Sequence, residues 1–174
     1  MSGWHAWIKS LFTQHADFAL WDSFPGAGPA LAPRLAAAWG TQRDRFPDAQ
    51  AMACHSGIAP VKEASGKSVW IHMRWACPKF LRQTFHELAK SSLQFCAWAV
   101  CYYQLQIQRG KGRKAAIRAL AFKWQRIMWR CWQDREPYNE VYYLTMLEKR
   151  GSNLLKLIAE PVEKPAENEL LNSV

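Results

Sequence analysis

Two apolar stripes at helical spacing occupy the second half of this chain, and they limit the folds open to it. Leu81, Phe85, Leu88, Phe95, Ala99 and Tyr102 recur at intervals of three, four or seven residues, which places them on one side of a helix. Pro78 suits the first position of that helix, where a missing N–H is not needed, and the stripe runs to about Gln108. Arg109-Gly110-Lys111-Gly112 breaks it. A second helix is expected from Arg113 to Trp132, with Ile117, Leu120, Ala121, Trp124, Met128 and Cys131 inward and Lys114, Arg118, Lys123, Arg126 and Arg130 mainly outward.

The region before these stripes is punctuated more often. Residues 3–20 read as one helix with Trp4, Trp7, Ile8, Leu11, Phe12, Phe18 and Leu20 as its apolar set. Phe24-Pro25-Gly26-Ala27-Gly28-Pro29 then predicts a tight turn opening a helix over Ala30 to Trp39, ended by Gly40. Asp48 is placed to cap a short helix through Cys54, with Gly57 at its end. From Gly57 to Cys77 the periodicity is poor, and only Val69, Ile71 and Met73 alternate well enough for one short strand. After the long helices, a short helix is expected from Asn139 to Arg150, and a mobile tail over residues 151–174, where Pro161, Pro165 and several glutamates fall. The fold expected is therefore mainly α: a helix-hairpin-helix-like N-terminal part, then two long helices, with at most a short strand or loop between.

Charge separates the chain more sharply than its average suggests. Its 174 residues carry a net +9, but residues 61–135 hold fifteen Lys/Arg against Glu63, Glu87 and Asp134, a net of +12. Residues 1–60 are neutral and residues 136–174 carry −3. Arg109, Lys111, Arg113, Lys114, Arg118, Lys123, Arg126 and Arg130 follow one another with no acid among them. A field of this density suits a polyanion, although a solvated helix face has the same composition. No apolar run approaches the roughly 20 residues that span a bilayer, and the first residues lack a signal peptide's pattern, so a soluble, cytoplasmic protein is expected.

Three groups of residues are chemically suggestive. Paired glycines such as Gly26 and Gly28 let backbone N–H groups approach a phosphate at a helix start, with Ala32 as the small residue where two helices touch; a plain Gly-Pro turn has the same letters. Ser65-Gly66-Lys67-Ser68 lies in the basic block, where a serine hydroxyl attacks a phosphodiester if cations such as Lys67 and Arg74 hold the phosphate. On pattern alone an ordinary Ser-Gly-Lys loop fits better. Cys54, His55, His72, Cys77, His86, Cys96 and Cys101 show no CxxC or CxxH spacing, so the cysteines read as small buried hydrophobes and no metal site is expected. Of the ten tryptophans, Trp124 reads as core, whereas Trp70 and Trp75 are open to base stacking.

Several of these segments, in this order, carry a resemblance: Phe24-Pro25-Gly26-Ala27-Gly28-Pro29, Arg45-Phe46, Ser56-Gly57-Ile58-Ala59-Pro60-Val61, Ser65-Gly66-Lys67-Ser68, Arg74 to Gln83, and Arg118 to Trp124. From about Leu20 to about Arg150 the chain is similar to the C-terminal domain of the insertion-sequence 110/116/902 transposases. The resemblance implies a DNA recombinase that moves a mobile element, works with a structured guide RNA, and acts as a homo-oligomer when full-length. It implies a serine that becomes covalently linked to DNA; Ser65 matches that serine, with Ser68 as the alternative. Where the family commonly shows Ser-Lys-x-Gly, this chain has His72 to Cys77, which bears on Arg74.

Family members also carry an N-terminal RNase H-like domain whose acidic residues hold Mg2+. No acid-bearing, strand-rich segment precedes Trp21, so residues 1–20 are expected to be the end of a linker helix, residues 21–150 the serine domain, and the chain a truncated copy that is inactive alone. The expected nucleic-acid contacts are Gly26, Gly28, Lys67, Arg74, Lys79, Arg82, Lys111, Arg113, Lys114, Arg118, Lys123, Arg126 and Arg130. A non-catalytic nucleic-acid-binding remnant is the second reading, and an interaction module with incidental charge the third.

Overall fold

The helix expected from Arg113 to Trp132 forms, and three other helices pack directly on it. In a computed structural model, which describes residues 3–158 and side chains from residue 7, the helices are α1 (Gly3–Phe12), α2 (Phe18–Asp22), α3 (Gly28–Trp39), α4 (Ala49–His55), α5 (Lys79–Phe95), α6 (Ala97–Gln108), α7 (Arg113–Asp134), α8 (Glu140–Lys149) and α9 (Leu154–Ile158). The fold is mainly helical, as expected, with one two-stranded antiparallel sheet, β1 (Val61–Ser65) and β2 (Ser68–His72), among the described residues. No described helix is long and apolar enough to cross a membrane.

Helix α7 packs against α4, α5 and α6. Ile117, Leu120, Ala121, Trp124 and Met128 are buried at the predicted spacing; Cys131 is half-buried, and the adjacent Trp132 is fully buried instead. Five tryptophans, Trp21, Trp39, Trp98, Trp124 and Trp132, are enclosed in the core. Trp98 and Trp124 lie 4.7 Å apart, and Trp39 sits 5.2 Å from Trp132. Three indole N–H groups are satisfied across elements: Trp124 donates to Ser92 Oγ, Trp98 to Tyr138 Oη and Trp132 to the Gly40 carbonyl. Rings of this size supply large apolar area while each N–H also fixes direction.

The expected single helix from Pro78 to about Gln108 is two. At Cys96 the backbone turns extended (φ −131°, ψ 108°), its N–H closes α5 onto Ser92 O, and α6 starts again at Ala97. One non-helical residue rotates everything beyond it. Phe95, the last residue of α5, is exposed, and beyond the break Trp98, Ala99, Val100, Cys101 and Tyr103 are buried while Tyr102 is half-buried. The apolar spacing hid this break because α6 is apolar around most of its circumference and satisfies any phase.

Two further boundaries differ from expectation. The helix expected over residues 3–20 divides at Thr13–Asp17, where His15 Nδ1 accepts from the Asp17 N–H and the Asp17 carboxylate accepts from Arg43 at 2.6 Å. Side chains that bond locally compete with helix continuation. After α8, Gly151 (φ +62°) reverses the chain and α9 lies on α6 with Leu154 buried, so folded structure continues past the expected start of the tail. The remainder of that segment, 159–174, lies outside the described residues. The predicted caps hold: Asp48 accepts from the Ala51 N–H at 2.7 Å, and Gly40 (φ +71°) ends α3.

Candidate nucleic-acid interface

The expected strand is half of a hairpin. β1 contributes Val61-Lys62-Glu63-Ala64-Ser65, a segment with no period-two signal because neither face of the hairpin is covered by the body. Ser65 pairs directly with Ser68, so Gly66 and Lys67 form a two-residue turn. Gly66 has φ +57° at its first central position, the requirement of a II′ hairpin. Directly opposed residues share a face, so both hydroxyls point to the same side, with Lys67 between them in the chain.

This tip is free while its root is held. Gly57 (φ +71°) lies so close to Cys77 that any Cβ there would collide with the thiol, which joins the strand entering the hairpin to the strand leaving it. Ser56 is fully buried and accepts a hydrogen bond from Gln125 of α7 at 2.8 Å. Ile58 and Ala59 are buried, whereas Val69, Trp70, Ile71 and Trp75 are exposed, Trp75 at 78%. On the serine face, His72 and Glu63 pair at 2.9 Å; the Glu63 carboxylate, and then the Met73 carbonyl, raise the imidazole's proton affinity. Among the described residues no base hydrogen-bonds to Ser65 or Ser68.

The basic residues divide by face. Arg118 and Lys123 leave α7 roughly 140° apart, at about 100° per residue. Arg118 faces α5, where Arg82, His86 and Lys90 lie in one row at spacings of four. Arg82 Nη1 donates to the Arg74 carbonyl at 3.2 Å, bringing the hairpin's exit to this row. Lys123 faces the other way: its ammonium sits over Tyr102 (4.8 Å), Trp98 (5.7 Å) and Tyr143 (5.8 Å). Burial, and then Arg126, hold its proton affinity down. Its charge is engaged by aromatic faces inside the fold, so it does not join the Arg118 face.

The other candidates are dispersed. Lys67, Lys79, Lys111, Arg113, Lys114, Arg126 and Arg130 are exposed. Lys111 donates to Gln106 at the α6–α7 turn, and Arg130 pairs with Asp134 at 2.6 Å. The run from Arg109 to Arg130 is thus not one surface. His86 and Lys90 carry no motif; their spacing from Arg82 is the signal that the sequence holds for them.

The glycine turn has the expected backbone. Pro25 and Gly26 (φ +82°) are the central pair of a type II turn closed by Ala27 N–H to Phe24 O at 3.0 Å. Gly28 has φ +54°, and Ala32 is fully buried in α3, which packs on α2. The two glycines differ in surroundings. A Cβ on Gly26 would meet the Ser91 backbone at 2.8 Å, and Ser91 Oγ donates to Gly26 O; around Gly28 the space is open. Gly26 is therefore needed for packing against α5, and only Gly28 faces outward. Gly26→Ala is expected to cost about 1–3 kcal/mol and Gly28→Ala about 1 kcal/mol, measured by urea unfolding; equal costs would contradict the packing account.

Among the described residues no three His, Cys, Asp or Glu side chains gather where they could hold a metal ion. Cys96 and Cys101 are buried and the other cysteines half-buried. Burial, with the nearby Glu140, pushes the Cys96 thiol up to about 12.

Comparison with known proteins is specific. Residues 19–104, which include the glycine turn, the hairpin, α5 and most of α6, match the transposase IS116/IS110/IS902 family. The chain is also 32% identical over 133 residues to "Mini-circle putative transposase for IS117" of Streptomyces coelicolor, a match covering 76% of this chain and 32% of that protein. The chain thus spans about a third of the curated relative it matches. With the serine hairpin and its neighbouring helices inside the matched segment, this chain belongs to the IS116/IS110/IS902 family of transposases.

Proposed function

We propose that this chain is the serine-bearing C-terminal domain of a DNA transposase: it binds DNA through its basic surface and presents Ser65 to a phosphodiester. The reading rests above all on one observation, a Ser65/Ser68 pair with Lys67 at the free tip of a rooted hairpin, inside the family-matching segment. In the proposed step Ser65 Oγ bonds to phosphorus and the P–O bond to one deoxyribose breaks. The serine's proton is balanced by the proton taken up at the departing oxygen. Lys67, in the turn between the two serines, opposes the charge that builds on the phosphate, while Arg74 and Arg82, at the hairpin's far end, hold the DNA backbone beyond it. Gly28 and the exposed cations Lys79, Lys111, Arg113, Lys114, Arg126 and Arg130 extend the contact along the backbone. A structured guide RNA would use the same electrostatics, and homo-oligomerisation belongs to the same proposal. Magnesium would be held by a domain other than this one.

One observation favours the alternative, binding without chemistry: neither serine has a base in contact among the described residues. Both readings share DNA binding, so that is tested first. Neutralising about five phosphates predicts that affinity for a short duplex falls roughly 100- to 1000-fold between 50 and 200 mM salt. Fluorescence anisotropy measures it. A flat salt response would remove the basic surface as the basis of function.

A further inference from the structure

We propose that the groove between α5 and α7 is a built oxyanion site, in which Arg82, His86 and Arg118 bind one phosphate and Arg74 closes the end nearest the hairpin. The inference deepens the nucleic-acid reading and rests on it for the identity of the anion, a backbone phosphate.

Geometry carries the argument. Arg82, His86 and Lys90 form one row on α5, and Arg118 approaches that row from α7. Arg82, His86 and Arg118 are half-buried, held in the groove rather than spread into solvent, and the Arg74 carbonyl meets Arg82 at its hairpin end. No carboxylate among the described residues neutralises them. Glu87, adjacent to His86 in sequence, pairs instead with Arg34 of α3 and accepts from Gln83, while Glu63 and Asp134 are engaged by His72 and Arg130. Two nitrogens in this cluster, His86 Nε2 and Arg118 Nε, are shielded from water and have no hydrogen-bond partner. Unsatisfied buried polar groups are rare in folded proteins, and converging cationic donors around such a gap are what a tetrahedral oxyanion completes.

The imidazole reports the same gap. Burial first, and then Arg118, Arg82 and Lys90, depress the His86 pKa to about 4. A bound anion reverses the repulsive part of that effect and gives Nε2–H an acceptor. Binding is therefore coupled to proton uptake by His86, and it tightens as pH falls toward 5.

The test uses the whole chain and sulfate, whose charge is constant between pH 4 and 8. NMR titration of the His86 ring, at ionic strength matched with chloride, is expected to show its pKa rising to about 6 in saturating sulfate. Sulfate affinity is expected to be about tenfold higher at pH 5 than at pH 7.5. His86→Gln, a neutral amide of similar reach, should still bind sulfate but lose this pH dependence. Arg118→Ala should lose sulfate binding while keeping the wild-type amide spectrum elsewhere. A His86 pKa equal in sulfate and chloride overturns the site, even if duplex DNA binds elsewhere on the surface. Sulfate binding that a short duplex does not displace overturns the backbone-phosphate assignment, and would leave a pocket for a small free oxyanion.

Discussion

Replacing Ser65 with alanine, in a complete recombinase containing this segment, is expected to reduce strand exchange by roughly 1000-fold or more, because the proposed nucleophile is removed outright. The substitution deletes one oxygen from an exposed hairpin end. The β1–β2 ladder and the II′ turn at Gly66 do not depend on it. Duplex affinity should therefore stay within about twofold, since phosphate contacts come from the cations. The covalent protein–DNA adduct, resolved on a denaturing gel, should disappear in Ser65→Ala. Ser68→Ala is the matched comparison, because its hydroxyl lies on the same face one turn away. An adduct lost in Ser68→Ala and kept in Ser65→Ala would transfer the role to Ser68. An adduct kept in both would favour the non-catalytic reading of this domain.

The second large effect concerns the core. Trp124→Ala is expected to destabilise the chain by about 3–5 kcal/mol. Trp124 is 1% exposed and has Trp98 at 4.7 Å, Tyr138 at 5.3 Å and Phe24 at 6.0 Å around it. It is the point where α7, α6, the glycine turn and the α7–α8 connection meet. Its indole N–H is also the hydrogen-bond donor to Ser92 Oγ of α5, a buried hydroxyl that truncation would leave without this donor. Domains commonly have only about 5–15 kcal/mol of total stability, so the loss is a large fraction. The melting temperature should fall by roughly 8–16 °C. Trp70→Ala, at an indole 66% exposed on the hairpin, should change stability by less than about 0.5 kcal/mol. Thermal unfolding of the two variants separates them, and a shift below about 2 °C for Trp124→Ala would contradict the packing described.

Caps and turns were largely legible because their causes are local. Asp48 caps α4 through its own carboxylate three residues away, and Gly40 ends α3 through its own φ. The type II turn at Phe24–Ala27 was legible because Pro25 and Gly26 carry the backbone preferences it needs. The inward face of α7 was readable because core covers one side of it and a 3.6-residue period records that. β1 left no such record, because a strand exposed on both faces has no apolar alternation to show. The break at Cys96 was equally silent: α6 is apolar on nearly every side, so a rotated register costs no burial. Residue by residue, the site was legible in part. Ser65, Lys67 and Arg74 came from motif and resemblance, and the hairpin gives the two serines a shared face. His86 and Lys90 lie in no motif, and Lys123 belongs to an aromatic cage rather than to the Arg118 face.

Composition and local patterning sufficed for a helical chain with a dense positive charge over residues 61–135 and a Ser-Gly-Lys-Ser loop within it. Charge and local backbone preference are properties of composition and of a few neighbouring residues, and they survive in one dimension. How that charge is shared out follows from the packing of the helices. The packing of α7 between α5 and α6 turns Arg118 toward Arg82 and His86, and turns Lys123, five residues on, into Tyr102, Trp98 and Tyr143. Which cations face one another, and which are already engaged, follows from the direction in which each side chain leaves its helix and from what is packed there. A count of charges along the chain contains neither.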